Sequence, residues 1–145
     1  MKVLFVCTGN VCRSPMAQVI FENLAKENGA DIKVASAGTM TLDGLPMTPT
    51  AKKALKECGQ KMGRKKRAST QFRREFLDEY DHIVTMTAKH ADVIGEHPNV
   101  YTLDSVTHCG DIWDPFMQPL DIYVSVCRQL MAELGKLYEI IGGVG

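Results

Sequence analysis

A cysteine and an arginine near the N-terminus are spaced so that they could act on one anion. Cys7 closes a short apolar run, and Arg13 follows after a five-residue loop that contains Gly9 and Asn10, with Ser14 next. A strand, a tight loop and a helix start in this order can hold an anion on backbone N–H groups at the positive end of the helix dipole. The same surroundings favour the thiolate form of a cysteine, which is its nucleophilic form. The pattern predicts an enzyme that transfers a phosphoryl group through a phosphocysteine, and the alternative is an inert buried thiol.

Other residues of the loop have roles in this hypothesis. The planar guanidinium of Arg13 can clamp two phosphoryl oxygens, and Ser14 can donate to the Cys7 sulfur, cap the helix, or do both. Gly9 and Asn10 suit positive φ angles, which turn successive N–H groups toward an anion. We therefore expect the phosphate site to be formed by Ser14 together with the loop residues Thr8, Gly9, Asn10, Val11 and Cys12.

Hydrolysis of a phosphoester also needs an acid for the leaving group and a base for the attacking water. Asp114 is the best candidate, because Pro115 holds it in an extended conformation within a turn-rich segment. Asp111 and Asp121 are rivals, although Asp121 is better explained as the N-cap of the last helix. The sequence thus favours Cys7 as the nucleophile and Asp114 as the acid.

Hydrophobic periodicity predicts the elements that must position these residues. Strand patterns alternate with helical patterns, which indicates right-handed crossovers and a parallel sheet. We expect strands at residues 3–7, 32–37, 81–86 and 99–103. We expect helices at residues 14–28 with Pro15 in the first position, 49–58 after a cap at Thr48, near 72–77 after a cap at Thr70, 87–94, and 121–141. The predicted fold is a single α/β domain over residues 1–145, with a four-stranded parallel sheet, about five flanking helices and a phosphate-binding loop after strand 1.

The composition is typical of a globular chain with its own core. Of the 145 residues, 45% are hydrophobic and 23% charged, and no apolar run approaches the ~20 residues that a membrane span needs. Five cysteines, an odd number, together with an exposed nucleophile favour a reducing compartment, so we expect a cytoplasmic protein without a membrane partner. Three cysteines lack the spacing of metal ligands and are interpreted as structural: Cys58, Cys109 and Cys127. No role is predicted for the four histidines, His82, His90, His97 and His108.

The charges balance over the whole chain but are unevenly distributed. Residues 61–74 contain seven of the 17 lysines and arginines and no acidic residue. This segment is either a solvated loop or a basic rim that attracts anionic phosphorylated substrates. Nucleic-acid binding would need a longer basic surface with interleaved aromatic residues, so we expect no nucleic-acid partner.

Three motifs that extend over the chain resemble the low-molecular-weight protein-tyrosine phosphatase family: VCTGNVCRSP, SAG after the second strand, and DP before the last helix. The resemblance implies that Cys7 is the nucleophile, Arg13 the phosphate clamp, and Asp114 the acid and then the base. It implies that Met40 and Phe116 form the walls of the substrate slot. It also implies a hydrogen-bonded network that shapes the loop, formed by Asn10, Ser14 and Ser36. No metal or organic cofactor is implied, and the implied substrate is a phosphorylated protein.

Two segments depart from the family pattern. The family often has a histidine behind the loop asparagine, whereas Lys66 occupies that region here. The segment DPFMQPLDIY is similar to the branch of the family that dephosphorylates arginine in bacteria, and in that branch a threonine stands at the position of Val11. Because Val11 lacks the polar oxygen linked to phosphoarginine selectivity, we expect a phosphotyrosine phosphatase, with protein-arginine phosphatase as the alternative. Cys12 is either a small buried filler or, as the resemblance implies, the partner of Cys7 in a reversible disulfide that protects the nucleophile from over-oxidation.

Three other functions compete with a phosphatase. Arsenate reductases share this fold and loop but use two further cysteines beyond strand 3, and residues 86–99 contain none. A phosphocysteine carrier of a sugar transport system needs neither Arg13 nor Asp114, and a binding module needs no nucleophile. We therefore expect a hydrolase that acts as a monomer, and turnover of p-nitrophenyl phosphate distinguishes it from the three alternatives.

Overall fold

Strand β1 (Lys2–Cys7) lies at the centre of the fold, and its residues after Lys2 are all buried. Val3 and Phe5 project to one face of the sheet and Leu4 and Val6 to the other, as the two-residue repeat of a strand requires. Burial on both faces is typical of the parallel sheets of α/β proteins. A computed structural model describes residues 1–142, and three further strands complete its sheet: β2 (Lys33–Gly38), β3 (His82–Thr85) and β4 (Val100–Thr102).

All four strands run parallel, in the order β2-β1-β3-β4. The chain places β2 on one side of β1 and β3 on the other side, so the strand order reverses at β1. Ligands of open α/β sheets bind in the crevice beyond the carboxyl ends of the strands at such a reversal. Cys7 is the last residue of β1 and pairs in register with Gly38. The predicted nucleophile therefore lies at this crevice.

Helices cover both faces of the sheet, which confirms the predicted single-domain α/β fold. Six are present within residues 1–142: α1 (Arg13–Glu27), α2 (Pro49–Glu57), α3 (Phe76–Glu79), α4 (Ala88–Ile94), α5 (Leu103–Thr107) and α6 (Leu120–Ile141). One face packs on α1, α2 and α6, where the rings of Phe5 and Phe21 meet edge to face. The other face packs on α3 and α4 through Leu77 and Ile94. Residues 143–145 of the predicted domain lie outside the described residues.

Helix α6 carries the apolar stripe that the sequence predicts. Val126, Leu130, Leu134 and Leu137 recur every three or four residues, and all are buried against α1 and α2. The stripe thereby completes the hydrophobic core on the α1 and α2 side of the sheet. Within residues 1–142, neither α6 nor any other helix combines the length and apolar character needed to cross a bilayer.

Helix α1 begins one residue earlier than the sequence predicts. Its first residue is Arg13 and not Ser14, and the preceding Cys12 makes no side-chain capping hydrogen bond. Pro15, which is predicted to follow a cap at Ser14, is consequently the third helical residue, and Ser14 is not the N-cap. A proline is still tolerated there, because the first four N–H groups of a helix have no partner within the helix. The early start brings the Arg13 backbone into the helix, directly beside the loop.

Helix α6 also begins differently from the prediction. It starts at Leu120 after an extended Pro119, so Asp121 lies in the first turn and is not the N-cap. The proposed capping role of Asp121 was therefore wrong. A carboxylate in the first turn nevertheless interacts favourably with the helix dipole.

The short elements account for the remaining differences. Thr70 does not cap a helix, because it lies in an extended segment that accepts the Gly38 N–H at 2.8 Å, and α3 starts only at Phe76. After β4, Thr102 caps the additional helix α5, which begins at Leu103, a residue that the sequence assigns to a strand. Helices of four or five residues are too short to show a hydrophobic period.

Candidate active site

The loop after β1 curves around a cavity at the carboxyl end of the sheet. The cavity has a volume of about 220 Å³, below the ~300–1,000 Å³ typical of sites for drug-sized ligands, so it suits a small anion or one side chain. Its lining residues are all among the predicted site residues: Cys7, Thr8, Gly9, Asn10, Val11, Cys12, Arg13, Asp114 and Phe116. The structure therefore brings the predicted nucleophile, clamp and acid together.

Hydrogen bonds to neighbouring segments turn the loop carbonyl groups outward. Three of these oxygens accept backbone N–H groups from outside the loop: Cys7 O from Thr39 at 2.9 Å, Thr8 O from Met40 at 3.0 Å, and Val11 O from Thr48 at 3.0 Å. In a trans peptide group the N–H points opposite to the carbonyl. The N–H groups that follow these carbonyls therefore face inward, where they can bind an anion.

Two hydrogen-bonding groups converge on the sulfur of Cys7, which is 2% exposed. The N–H of Asn10 donates to Sγ at 3.3 Å, and the Ser14 hydroxyl lies 2.9 Å from it. Asn10 has a φ of 56°, the positive value that the sequence predicts, and this conformation directs its N–H at the sulfur. Both groups can therefore donate hydrogen bonds to the sulfur.

Asn10 also sets the direction of the Ser14 hydroxyl. Its Oδ1 accepts the N–H of Thr70 at 2.8 Å, which leaves Nδ2 to donate to Ser14 Oγ at 2.8 Å. Since Ser14 Oγ accepts this bond, its own proton can be donated to Cys7 Sγ at 2.9 Å or to Ala37 O at 3.4 Å, and the sulfur is the nearer acceptor. The backbone of Thr70 thus supports the loop asparagine, and no described hydrogen bond joins Lys66 to it.

Two of the residues that the family resemblance assigns to the site do not line the Cys7 cavity. Among the described contacts, Ser36 Oγ donates to Gln18 Oε1 at 2.7 Å and takes no part in the network of Asn10 and Ser14. Met40 is attached to the loop through its N–H, but its side chain is 79% exposed and does not line the cavity. Of the two implied walls, the structure therefore places only Phe116 there.

A glycine is needed beside the loop and not within it. Gly9 does not adopt the expected positive φ, because Asn10 makes the left-handed turn in its place. A Cβ atom at Gly38, the end of β2, would lie 2.5 Å from Thr8 O and 3.2 Å from Asn10 Cβ. Real Cβ atoms do not approach backbone oxygen so closely, and any side chain at position 38 would push against the loop. The sequence predicts no such role for Gly38.

Arg13 is 6% exposed, and its guanidinium is held by three groups. Nη1 donates to Ile112 O at 3.1 Å, while Nη2 lies 3.4 Å from Thr8 Oγ1 and 3.6 Å from Asp114 Oδ2. The segment after α5 therefore helps to aim the guanidinium at the cavity. Because the long side chain is already ordered, it loses little conformational freedom when it binds a phosphoryl group.

The three candidate aspartates lie in different places. Asp114 lines the cavity with its side chain 53% exposed, and its Oδ1 accepts the N–H of Phe116 at 3.1 Å. Asp111 Oδ1 accepts the N–H of Ala88 at 2.9 Å and so holds the start of α4. Asp121 lies in α6 and does not line the cavity. The positions favour Asp114 as the acid.

Cys12 lines the cavity, but its thiol contacts other elements. Sγ lies 3.4 Å from Tyr123 Oη and 3.5 Å from Thr48 Oγ1. Burial raises the pKa of the Cys12 thiol, so this group is protonated at neutral pH, unlike a nucleophilic thiolate. Cys7 and Cys12 are both free thiols. A reversible disulfide between them remains a prediction.

One histidine contacts the loop, although the sequence predicts no role for it. His90 is 5% exposed, and its Nε2 lies 2.8 Å from Thr8 Oγ1. Its backbone and ring form a capping box with Thr87 at the start of α4. Burial, with the Arg13 guanidinium second, lowers the pKa of His90 from 6.5 to about 4. The spacing Thr87-x-x-His90 before an apolar helix is the signal that could have identified this cap.

Ion pairs bind much of the basic segment to acidic neighbours. Lys65 and Arg67 pair with Glu22 of α1 at 3.2 and 2.7 Å, and Arg73 pairs with Asp43. None of the lysines and arginines of residues 61–74 lines the Cys7 cavity. The pairing favours a solvated loop over a basic rim that attracts substrates.

The assembled groups can carry out phosphoryl chemistry on one small anion. Inward N–H groups and Arg13 can bind a tetrahedral oxyanion, Cys7 can attack it, and Asp114 can protonate a leaving group. Within residues 1–142, no three His, Cys, Asp or Glu side chains converge as ligands of a metal ion.

Comparisons with known proteins agree with this geometry. A sequence model of the family described as low molecular weight phosphotyrosine protein phosphatase matches residues 2–142. The chain is 34% identical over 145 residues to the protein-arginine-phosphatase of Geobacillus stearothermophilus, covering 95% of this chain and 94% of the relative. It is 34% identical over 142 residues to the low molecular weight protein-tyrosine-phosphatase PtpB of Staphylococcus haemolyticus, covering 94% and 97%. The YwlE arginine phosphatase, solved as a C7S mutant with a phosphorylated active site serine, superimposes with a TM-score of 0.89 at 32% identity over 97% and 95% of the two chains. The chain therefore belongs to the low molecular weight phosphotyrosine protein phosphatase family.

Proposed function

We propose that the chain hydrolyses phosphotyrosine in proteins through a phosphocysteine intermediate on Cys7. The observation that carries this proposal is the convergence of the Asn10 N–H and the Ser14 hydroxyl on Cys7 Sγ, in a cavity that also holds Arg13 and Asp114. Membership of a phosphatase family supports the reaction class. The phosphorylated active site serine of the YwlE C7S mutant supports a phosphoryl group at the position of the nucleophile.

In the first step, the Cys7 thiolate attacks phosphorus, so that an S–P bond forms and the bond from phosphorus to the tyrosine oxygen breaks. Asp114 protonates that oxygen, and tyrosine leaves as a neutral phenol. The loop N–H groups and Arg13 stabilise the charge on the three equatorial oxygens. Ile112 O and Thr8 Oγ1 already hold the guanidinium, so this stabilisation needs little rearrangement.

In the second step, water attacks the phosphorus of phosphocysteine. The Asp114 carboxylate accepts a proton from the water, the S–P bond breaks, and inorganic phosphate and the Cys7 thiolate result. The Ser14 hydroxyl, 2.9 Å from Sγ, stabilises the thiolate as it leaves. The carboxyl group thus acts as acid and then as base, and ends each cycle protonated for the next one.

Apolar groups in the cavity support an aromatic substrate. Val11 and Phe116 both line it, and neither side chain can form a conventional hydrogen bond. A phenyl ring can pack between such groups, whereas the N–H groups of phosphoarginine would need polar acceptors. The lining therefore favours phosphotyrosine.

Protein-arginine phosphatase is the second candidate function. The similarity to the protein-arginine-phosphatase of Geobacillus stearothermophilus supports it. Among the described residues that line the cavity, Asp114 carries the one carboxylate that could accept guanidinium N–H groups. The choice between the two substrates therefore depends on the balance between Asp114 and the apolar side chains.

Phosphate release from matched phosphotyrosine and phosphoarginine peptides tests the proposal. We expect wild type to show the higher kcat/KM with phosphotyrosine and to turn over p-nitrophenyl phosphate. Val11→Thr should shift the ratio toward phosphoarginine by about fivefold, since one added hydrogen bond contributes roughly 1 kcal/mol. Val93→Thr makes the same change at an exposed site in α4 and should leave the ratio unchanged.

Cys7→Ser completes this experiment. It should release no phosphate from either peptide, while inorganic phosphate still binds through the loop and Arg13. A wild-type preference for phosphoarginine would replace the first candidate by the second. Steady turnover by Cys7→Ala, which has no nucleophile at this position, would exclude a phosphocysteine intermediate.

We further propose that the chain acts as one domain over residues 1–145 and as a cytoplasmic monomer, with a phosphorylated protein as its partner. The five cysteines are free thiols, and this state suits a reducing compartment. Sedimentation equilibrium tests the monomer, and cell fractionation tests the compartment.

A further inference from the structure

We propose that His90 is a positioning residue that makes the Thr8 hydroxyl a hydrogen-bond donor to a phosphoryl oxygen bound in the Cys7 cavity. The identity of this anion rests on the proposed function. The contacts that support the proposal join four residues: His90, Thr87, Thr8 and Arg13. Thr8 lines the cavity, and His90 contacts it from the start of α4.

The first step concerns the proton of the His90 ring, which lies on Nε2. Nδ1 is 3.2 Å from the backbone nitrogen of Thr87, whose N–H can only donate. Thr87 Oγ1 accepts the N–H of His90 at 3.3 Å and lies 3.0 Å from Nδ1, so its proton is also available to Nδ1. The lowered pKa of His90, about 4, keeps the ring neutral at pH 7. A neutral imidazole whose Nδ1 accepts carries its proton on Nε2.

The second step concerns the oxygen of Thr8, which two donors then approach. Nε2–H of His90 donates to Thr8 Oγ1 across 2.8 Å, and Arg13 Nη2 lies 3.4 Å from the same oxygen. Neither a protonated imidazole nitrogen nor a guanidinium can accept a hydrogen bond, so the Thr8 proton must point elsewhere. Thr8 is exposed and lines the cavity, which leaves its proton directed at an anion there.

The tautomer of His90 thereby decides how Thr8 interacts with the anion. If the proton were on Nδ1, Thr8 would donate to Nε2 and present oxygen lone pairs to the phosphoryl group. With the proton on Nε2, Thr8 presents a donor to it. His90 touches neither substrate nor phosphorus, and its effect passes through Thr8. The capping box fixes the ring, so the start of α4 controls one donor of the site.

Two substitutions at position 90 test the proposal. Asparagine can place its amide near the position of Nδ1 but does not reach Thr8, whereas glutamine can place an N–H near the position of Nε2. We expect His90→Asn to raise the inhibition constant of inorganic phosphate and to lower kcat/KM for p-nitrophenyl phosphate by about 10–100-fold. His90→Gln should recover most of both losses. The matched control is His82→Asn, because His82 contacts Tyr101 at the amino end of β3, away from the cavity.

A double-mutant cycle shows whether His90 acts through Thr8. Thr8→Val removes the hydroxyl, so adding His90→Asn to Thr8→Val should cause no further loss of phosphate affinity. Losses that multiply in the double variant would overturn the proposal, as would equal losses in His90→Asn and His90→Gln. Thermal denaturation of each variant shows which of them are folded.

The ¹⁵N NMR spectrum of the wild-type imidazoles gives a readout that needs no variant to fold. We expect His90 as the Nε2–H tautomer at pH 7, and an Nδ1–H tautomer or a charged ring would overturn the proposal. Phosphate affinity and the NMR spectrum do not depend on which phosphorylated residue is hydrolysed. A failure of the phosphotyrosine proposal is therefore distinguishable from a failure of this one.

Discussion

Asp114 is the exposed member of the charged pair in the cavity, and Arg13 is the buried one. Asp114 Oδ2 lies 3.6 Å from Arg13 Nη2, beyond an ordinary hydrogen bond, while the N–H of Phe116 orients Oδ1. The turn thus orients the carboxyl group, and water can reach it. Such a group can exchange its proton with a leaving group and with solvent. These contacts suit a residue that acts first as an acid and then as a base.

Asp114→Asn should therefore slow poor leaving groups far more than good ones. We expect kcat to fall by about 10²–10⁴-fold for phenyl phosphate, which needs a proton, and much less for p-nitrophenyl phosphate. The measurement is the slope of log kcat against the leaving-group acidity over a series of aryl phosphates. Asp121→Asn in α6 is the matched control and should keep the wild-type slope. Equal slowing of all substrates by Asp114→Asn would remove Asp114 from the acid role.

Some site residues are predictable from sequence because only a few side-chain types can fill their chemical role. The residues that hold them in position are not predictable in this way. Cys7, Arg13 and Asp114, which do line one cavity, were candidates because few side chains can attack, clamp or protonate a phosphoester. Thr70 contributes only its backbone N–H, which almost any residue type could supply, to Asn10 at a separation of 60 positions. His90 reaches Thr8 across 82 positions, and only the packing of α4 against the loop creates that contact.

At the scale of elements, the end of β2 decides how closely the sheet approaches the loop. Gly38 pairs with Cys7, and its missing side chain leaves space for Thr8 O and Asn10 Cβ. The extended segment at Thr70 then hydrogen-bonds to Gly38 and to Asn10. Two segments distant in sequence therefore hold the loop through backbone contacts.

Gly38→Ala should displace the loop. Overpacking of this kind costs about 1–3 kcal/mol of stability, and we expect kcat/KM to fall by at least about tenfold, because small errors in catalytic geometry slow the reaction strongly. Urea denaturation and p-nitrophenyl phosphate kinetics measure the two effects. Gly135→Ala is the control: its Cβ meets nothing within 4 Å in α6, so stability should rise by about 0.5–1 kcal/mol with unchanged activity. Full activity in Gly38→Ala would show that the loop tolerates the added methyl group.

The sheet and the long helices were predictable because their hydrophobic periods extend over several residues. The order β2-β1-β3-β4 was not, since crossover rules fix handedness but not which edge each strand joins. Helix α5 was missed because Leu103 continues the apolar pattern of β4, while the cap formed by Thr102 ends the strand. Local capping therefore overrides a short hydrophobic run.

At the scale of the whole molecule, one buried titratable group couples the site to global stability. His90 is neutral when folded, because burial and the neighbouring Arg13 disfavour its charged form, while Asp111 and Asp114 oppose the shift. The unfolded chain has no such environment. Its histidine takes up a proton near pH 6.5, whereas the folded protein does so near pH 4.

The free energy of unfolding should consequently fall as the pH is lowered from about 6.5 to about 4. In this window the unfolded state binds more protons, so stability decreases by up to about 1.4 kcal/mol per pH unit from this group, and no such change occurs above pH 7. Urea denaturation at several pH values measures the slope. Burial also lowers the pKa of His82, so the difference between wild type and His90→Gln isolates His90. Identical slopes in the two proteins would contradict the assignment.

The outward-facing carbonyl groups of the loop affect which small anions the loop binds. Because Thr39 and Met40 of one segment and Thr48 of another hold three of these carbonyls, the ring of loop amides cannot widen or flatten to fit the shape of a bound ion. Nitrate and carbonate, which are planar, would leave some of the amides unmatched, while tetrahedral and bipyramidal species such as phosphate and vanadate meet most of them. Discrimination among small inorganic ions should thus follow their shape more closely than their charge.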